Sequence, residues 1–336
     1  MSVVEQFFAL TPERILDAVE FGGRRATGRA LALNSLENRV YELELEDETR
    51  VVAKFYRPGR WSKQAILDEH AFLGELAAAE IPVVPPLVRD DGATLGELAV
   101  DGGVIYFAAF EKARGRAPEE LDDDSLRQLG RLVARLHNVG GARRAAARPR
   151  LDPESYGSAS LRILVGDDPM SGFVPPELRT RFCDAARAII DACARAWPDA
   201  AADLRIHGDC HLGNLLAGGS GFFFLDFDDF CHGPPVQDLW LLAPGRDDDA
   251  DRQRGLLADG YQQMRSFDRS SLRLVEPLRA LRIMRYAAWI AQRWRDPAFQ
   301  RAFPDWDEHK SWQREVSELE RQRAHVEEAL GESPLG

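Results

Sequence analysis

The sequence has few cysteines, and their spacing argues against the two common structural uses of that residue. The chain has 336 residues and only four cysteines, at Cys183, Cys193, Cys210 and Cys231. None of them forms the short Cys-x-x-Cys pair that is typical of structural zinc sites. Neither a disulfide framework nor a structural zinc site is therefore expected, and an ordinary hydrophobic core has to stabilise the fold.

Long apolar runs and an excess of basic residues are also missing. No segment approaches the roughly 18 to 20 apolar residues that cross a bilayer, and the opening MSVVEQFFAL lacks the basic start of an export signal. Lysine and arginine number 43 against 55 aspartate and glutamate residues, which gives a formal net charge of -12. We therefore expect a cytoplasmic protein that binds neither nucleic acid nor membranes. We also expect a monomer.

The first third of the sequence has the alternation of β-strands. RVYELELED alternates apolar and acidic residues, and RVVAKFY follows a short polar turn, so the two segments predict a hairpin. SKQAILDEHAFLGELAAAE has the spacing of a helix, and GGVIYFAAFE is typical of another strand. These patterns predict a β-sheet accompanied by one prominent helix.

Helical patterns dominate after about residue 122. DSLRQLGRLVARLHNVGG places four apolar residues on one face, namely Leu126, Leu129, Val133 and Leu136. PELRTRFCDAARAIIDACARAW and most of the tail have helical spacing as well. The sequence therefore predicts an α+β fold with two lobes, a smaller β-rich N-terminal lobe at residues 1–112 and a larger, mainly helical C-terminal lobe at residues 113–336.

One stretch interrupts the helices and concentrates polar side chains at the ends of short apolar runs. In RIHGDCHLGNLLAG, Asp209 and Asn214 lie in a loop, and in GFFFLDFDDFCHGP, Asp226 follows a short strand. Phosphoryl transfer needs a carboxylate that orients and deprotonates the acceptor hydroxyl, and hard oxygen ligands that hold Mg²⁺ on the phosphates. The spacing therefore favours a phosphotransferase in which Asp209 is the base and Asn214 and Asp226 hold the metal.

A lysine and a glutamate in the first third fit the same chemistry. Glu69 falls on the apolar stripe of its predicted helix, between Ile66 and Leu73. A carboxylate in that position costs several kcal/mol of desolvation unless a cation meets it. Lys54, in the preceding strand, is the nearest candidate. A strand lysine that pairs with a helix glutamate holds the nucleotide phosphates in kinases.

Several motifs together resemble those of the aminoglycoside phosphotransferase group. HGDCHLGNLL and LDFDD resemble its HGDxHxxN and aspartate motifs, and LGRLVARLH and DLW are also typical of it. The segments LNSLENRVYELE, VVAKFYRPGRW, DEHAFL and GPPVQDLWLL resemble a bacterial subfamily of serine/threonine protein kinases within that group. The resemblance implies a protein-kinase-like fold, ATP and Mg²⁺ as cofactors, and a stress-response kinase that acts on proteins, its own chain included.

The resemblance also implies the roles of individual residues. Asp209 corresponds to the catalytic base, and Asp226 is a second catalytic residue that holds magnesium together with Asn214. Lys54 and Glu69 correspond to the pair that holds the nucleotide phosphates.

The same resemblance places the nucleotide itself. Residues 34–40 correspond to the segment over the phosphates, although they contain no glycine, and Ser35 is the residue that we expect nearest the phosphates. The edge of the adenine is expected against the backbone of residues 110–113.

Three alternatives stay open at this point. The first is a kinase for a small hydroxylated metabolite, of the aminoglycoside, choline or homoserine kinase type, and the second is a nucleotide-binding regulator without turnover. The third is a zinc hydrolase site, which would leave Lys54 and Glu69 unexplained and would use His207, Cys210, His211 and Asp226. The sequence also leaves open whether Asp228 contacts a second metal ion.

Overall fold

The computed structural model describes residues 6–7, 9–166, 172–199, 203–219 and 221–331. Residues 1–5, on which the expectation about an export signal partly rests, lie outside this range. The backbone divides into two compact units, each built from separate stretches of chain. The first comprises Met1–Arg148, Asp209–Phe230 and Leu241–Arg265, and the second Pro149–Gly208, Cys231–Trp240 and Ser266–Gly336. The predicted lobe boundary at residues 112 and 113 is a different division and stays a prediction.

A five-stranded antiparallel sheet occupies the N-terminal part of the first unit. Its strands lie in the order β1-β2-β3-β5-β4, and their bounds are Ala26–Ala32, Arg39–Leu45, Arg50–Phe55, Gly96–Val100 and Gly103–Glu111 for β1 to β5. The predicted hairpin is confirmed, because β2 pairs with β3 in antiparallel register. Lys54 lies on the central strand, opposite Val40 on one side and Ala108 on the other. Two paired neighbours therefore fix its backbone.

Two helices accompany the sheet. Helix α1 (Pro12–Asp17) begins after Thr11, and α2 (Lys63–Ala78) begins after Ser62, whose hydroxyl accepts a hydrogen bond from the Ala65 N–H at 3.1 Å. The buried face of α2 includes Ile66, Glu69, Leu73 and Leu76. Glu69 therefore lies on the apolar stripe, as the sequence predicts.

Two long helices of the first unit cross closely. They are α3 (Asp123–Gly140) and α7 (Asp248–Gln262), and all four apolar residues predicted for one face of α3 are buried. A Cβ atom at Gly130 would lie 2.1 Å from the Leu257 carbonyl oxygen, and one at Gly260 would lie 2.1 Å from the Arg127 carbonyl oxygen. Only glycine therefore permits this crossing.

A short hairpin carries the polar loop of the sequence. Strands β7 (Leu215–Gly218) and β8 (Gly221–Phe224) pair in antiparallel register, and a 3₁₀ turn adjoins each open end, at Leu212–Asn214 and Phe227–Asp229. The Leu225 N–H donates to the Asn214 carbonyl oxygen at 2.9 Å. The hairpin therefore brings Asn214 and Asp226 to the same end.

The second unit is mainly helical. A π-helical turn (Pro153–Ser158) precedes α4 (Ala159–Val165) and α5 (Pro176–Ala196), and a 3₁₀ turn (Arg269–Leu274) precedes α8 (Val275–Arg293), α9 (Pro297–Ala302) and α10 (His309–Ala329). Strand β6 (Leu204–Ile206) pairs with β9 (Cys231–Gly233), and α6 spans Val236–Leu242. Trp306 and Trp312 are buried in the core of this unit.

Asp238 on α6 fixes the backbone that leads into the polar loop. Its carboxylate accepts hydrogen bonds from the His207 N–H at 2.8 Å and the Gly208 N–H at 2.9 Å. The aspartate of the DLW motif therefore has a structural task. The sheet followed by helices confirms the predicted α+β class. In the described part of the chain, no helix combines the length and the apolar character needed to cross a bilayer.

Candidate active site

A cavity of about 530 Å³ opens within the first unit, in the size range of small-molecule sites. Its apolar lining comes from β2, β3, the β7–β8 hairpin and the residue after it, and includes Val40, Val52, Leu216, Phe224 and Leu225. The segment 110–113, expected beside adenine, also lines the cavity. Mutual contacts gather a set of polar lining residues, which we call the polar end: Ser35, Asn38, Lys54, Glu69, Asn214 and Asp226.

Lys54 is surrounded by carboxylates at the polar end. Its Nζ lies 3.6 Å from Glu69 Oε1, 3.1 Å from Asp226 Oδ1 and 3.2 Å from Asp228 Oδ1. The pair with Glu69 is the one that the sequence predicts. Burial lowers the pKa of Lys54, but the negative charges of Asp226, Asp228 and Glu69 outweigh this effect and hold that pKa well above its ordinary value. The ammonium group therefore stays charged.

The pKa values of two buried carboxylates in this cluster shift in opposite directions. Burial raises the pKa of Glu69 to about 7, against the opposing effect of the Lys54 charge. Burial also favours a higher pKa for Asp228, but the positive charges of Arg60, Lys54 and Arg148 outweigh it and hold the pKa of Asp228 below its ordinary range. Asp228 is therefore a permanent anion, whereas Glu69 takes up a proton near neutral pH.

Asp226 has an unusual backbone. Its φ of 55° and ψ of 71° lie in the left-handed region, which few residues other than glycine adopt. Its side chain is 56% exposed and lies at the cavity wall. Strain of this kind is found where the surrounding structure forces a side chain into a required position.

Asn214 and Asp226 suit a magnesium ion. The Asn214 amide nitrogen donates to the Asp209 backbone oxygen at 3.0 Å, which leaves the amide oxygen as the ligand atom. One carboxylate and one amide oxygen at the same cavity match Mg²⁺, which takes its remaining ligands from water and phosphate. Among the described residues, no group of three or more histidine, cysteine, aspartate or glutamate side chains is arranged to hold a metal ion. The zinc alternative therefore finds no support.

Two neighbouring side chains hold Asp209. Its Oδ2 lies 3.4 Å from the Asn214 amide nitrogen and 3.4 Å from His211 Nε2. Asp209 is not among the residues that line the cavity, but Asn214 is, and their contact places the carboxylate beside the polar end. The structure thus gathers all six predicted site residues in one region. Their catalytic roles stay predictions.

The cations around Asp228 were not predicted from the sequence. Arg60 Nη1 donates to Asp228 Oδ2 at 2.5 Å, and Arg60 Nη2 donates to Asp229 Oδ1 at 2.6 Å. Asp228 itself lies in the 3₁₀ turn Phe227–Asp229. The signal was present, because two adjacent aspartates beside a buried strand need cations, and RPGRW supplies two arginines directly after β3.

Arg148 is a further cation near Asp228. The Ala/Arg/Pro composition of its segment, ARRAAARPR, is typical of a solvated loop, yet Arg148 is only 5% exposed. It donates to the backbone oxygens of Asp228, Phe230 and Ala65 and stacks on the Trp61 ring at 4.1 Å. The planar guanidinium satisfies several buried carbonyl groups at once, and this compensates for its desolvation.

Comparison with known proteins points to the same chemistry. The family model described as "Phosphotransferase enzyme family" matches residues 29–275. Stress response kinase A from Salmonella paratyphi A is 38% identical over 93% of this chain and 92% of its own length. The serine/threonine protein kinase RdoA from Salmonella typhimurium is 37% identical over the same shares. These relatives confirm the subfamily resemblance in the motifs.

A solved structure shares the fold. The amicoumacin kinase hAmiN, in complex with AMP-PNP, Ca²⁺ and Ami, matches with a TM-score of 0.75 and 20% identity, over 95% of this chain and 94% of that one. At this identity the match shows the kinase-like fold and nothing about the substrate of this chain.

Proposed function

Because the chain belongs to the phosphotransferase enzyme family, we propose that it transfers the terminal phosphoryl group of ATP to a serine or threonine hydroxyl of a protein, its own chain included, during a stress response. One observation carries the proposal: Lys54 lies within 3.6 Å of both Glu69 and Asp226 at the polar end of a cavity that also has an apolar lining. That arrangement accommodates a triphosphate beside an apolar base.

Each residue has a separate task in the transfer. Asp209 orients the acceptor hydroxyl and takes its proton, while the hydroxyl oxygen bonds to the γ-phosphorus and the bond from that phosphorus to the β–γ bridging oxygen breaks, releasing ADP. Lys54, oriented by Glu69, neutralises the phosphate oxygens. Asn214 and Asp226 would hold magnesium, which neutralises further phosphate charge when it is bound.

The name of one relative favours a protein acceptor. That relative is called serine/threonine protein kinase RdoA, the other is called stress response kinase A, and both align over 92% of their length. The fold alone would equally serve a kinase of small hydroxylated molecules, since hAmiN has it too. We also propose that the protein is a cytoplasmic monomer. Its net charge of -12 favours the absence of nucleic-acid and membrane partners.

Incubation with γ-labelled ATP and Mg²⁺ tests this function. The purified protein is tested alone and with a heat-treated protein extract, with Asp209→Asn as the control. We expect acid-stable label on serine or threonine, and label that accumulates at least ~100-fold more slowly with the control. Label that reaches only small molecules would replace the protein acceptor with a metabolite, and absence of any ADP release would contradict phosphotransfer.

A further inference from the structure

Side chains, and not glycines, hold the segment between β1 and β2. We call residues 34–38 the phosphate loop. The Ser35 hydroxyl accepts a hydrogen bond from the Asn38 N–H at 3.3 Å. Arg57 donates to the carbonyl oxygens of Glu37 at 2.9 Å and Leu36 at 3.1 Å. The backbone of the loop is therefore fastened at three successive residues.

Asn38 joins this loop to the segment that carries Asp226. Its side-chain amide oxygen accepts a hydrogen bond from the backbone N–H of Arg57 at 3.1 Å, and its side-chain amide nitrogen donates one to Asp228 Oδ2 at 3.2 Å. The residue is 4% exposed, and 190 positions separate it from Asp228. A buried hydrogen bond to a charged acceptor is among the stronger ones, so this contact fixes the loop relative to the metal-binding segment.

The Asp228 carboxylate is buried among protein cations. Oδ2 accepts hydrogen bonds from both Asn38 and Arg60, and Oδ1 forms an ion pair, without a hydrogen bond, with Lys54 Nζ at 3.2 Å. Its side chain is 4% exposed, whereas that of Asp226 is 56% exposed. A metal ion at Oδ2 would have to displace the buried Arg60 guanidinium, and one at Oδ1 would lie against the Lys54 ammonium group, 3.2 Å from that oxygen. Either position sets the metal charge against a buried cation.

We propose that Asn38 and Asp228 are positioning residues that hold the phosphate loop in place over the polar end of the cavity, and that Asp228 is not a metal ligand. The inference deepens the proposed function and rests on it for the identity of the ligand. A loop that is already ordered lets a nucleotide bind without the cost of ordering it. Glycine-rich loops depend on flexible backbone, whereas this chain uses a buried amide and a buried carboxylate.

Hydrogen exchange of the free protein tests the positioning without any activity. Backbone amides of residues 34–38 are compared in wild type, Asn38→Ala and Asp228→Asn, with no nucleotide or metal present. We expect exchange about tenfold faster or more in both variants. Asn138→Ala is the matched control, because Asn138 is an exposed amide on α3 whose side chain bonds to Met264 and Arg265, away from residues 34–38. Unchanged exchange in Asn38→Ala would overturn the inference.

Kinetics then separate positioning from metal binding. Removal of the loop contact should raise the KM for ATP about tenfold in both variants and change kcat by less than about threefold. The Mg²⁺ concentration for half-maximal rate should stay at the wild-type value in Asp228→Asn, and a tenfold rise would make Asp228 a ligand. If the protein proves not to transfer phosphate, the exchange measurement still decides the inference about the loop. If Asp228→Asn does not fold, Asn38→Ala decides it.

Discussion

The ammonium nitrogen of Lys54 lies 3.1 Å from Oδ1 of Asp226, although 172 residues separate the two in the chain. Strand β3 supplies the first and the segment after β8 the second. The same nitrogen also meets Glu69 and Asp228. Lys54 therefore has two tasks: it completes the polar end of the cavity, and it compensates the charge of three carboxylates.

This double task predicts that Lys54→Met loses stability as well as activity. Without the ammonium group, the buried Glu69 loses its ion pair and Asp228 keeps Arg60 but loses a second cation. Breaking a buried pair costs about 3–5 kcal/mol of the free energy of unfolding. Glu69→Gln removes a carboxylate that is already costly to bury, so we expect it to keep or raise stability while it lowers kcat/KM for ATP. Urea denaturation and steady-state kinetics of the two variants check this. An equal loss of stability in both would contradict the account.

Asp209→Asn should separate binding from catalysis. The variant keeps a side chain of the same size beside Asn214 and His211, so we expect the fold and the affinity for ATP to persist. Loss of the general base should slow transfer at least ~100-fold. Calorimetric titration with ATP and measurement of ADP release check the two parts. Turnover at the wild-type rate would remove Asp209 from the role of base.

Local patterns predicted the elements that carry the site. The alternation in RVYELELED and the helical stripe of α2 each depend on neighbours in sequence, so burial could be inferred from spacing. Glu69 was identified because an acidic residue interrupted such a stripe. Glu42 shows the limit of this method, since its place on the polar side of β2 suggested exposure. It is buried instead, paired with Arg50 and Lys112 at the cavity wall.

The remaining residues of the site could not be predicted because their partners are far away in sequence. Arg148 contacts backbone oxygens at residues 65, 228 and 230, and Asn38 contacts Asp228 across 190 positions. An arginine in an Ala/Arg/Pro segment has no periodicity, and an asparagine in a loop has many uses. The tertiary fold alone reveals these contacts.

His70 should make stability depend on pH. It lies on α2, and its ring is hydrogen-bonded to the hydroxyl groups of Tyr56 at 3.0 Å and Thr94 at 2.8 Å. Burial lowers the pKa of His70 to about 3, and the Lys54 charge adds a smaller effect in the same direction. An unfolded histidine titrates near 6.5, so between about pH 6.5 and 3 the unfolded chain binds one proton more than the folded chain. The contribution of His70 to stability is therefore complete above pH 6.5 and is lost as the pH falls.

The expected size of this effect can be measured directly. Between pH 7 and pH 5, wild type should lose about 2 kcal/mol more of its free energy of unfolding than His70→Gln does. His325→Gln, a substitution on α10 in the second unit, serves as the control and should follow wild type. Parallel curves for wild type and His70→Gln would show that His70 titrates normally.

Magnesium dependence of nucleotide binding tests the central claim most directly, namely that Asp226 holds the metal of an ATP complex in this cavity. ATP affinity is measured by calorimetry with and without Mg²⁺ for wild type, Asp226→Asn and Asp209→Asn. We predict that Mg²⁺ strengthens binding to wild type and Asp209→Asn at least tenfold, and that Asp226→Asn loses this gain. A full magnesium effect in Asp226→Asn would contradict the account.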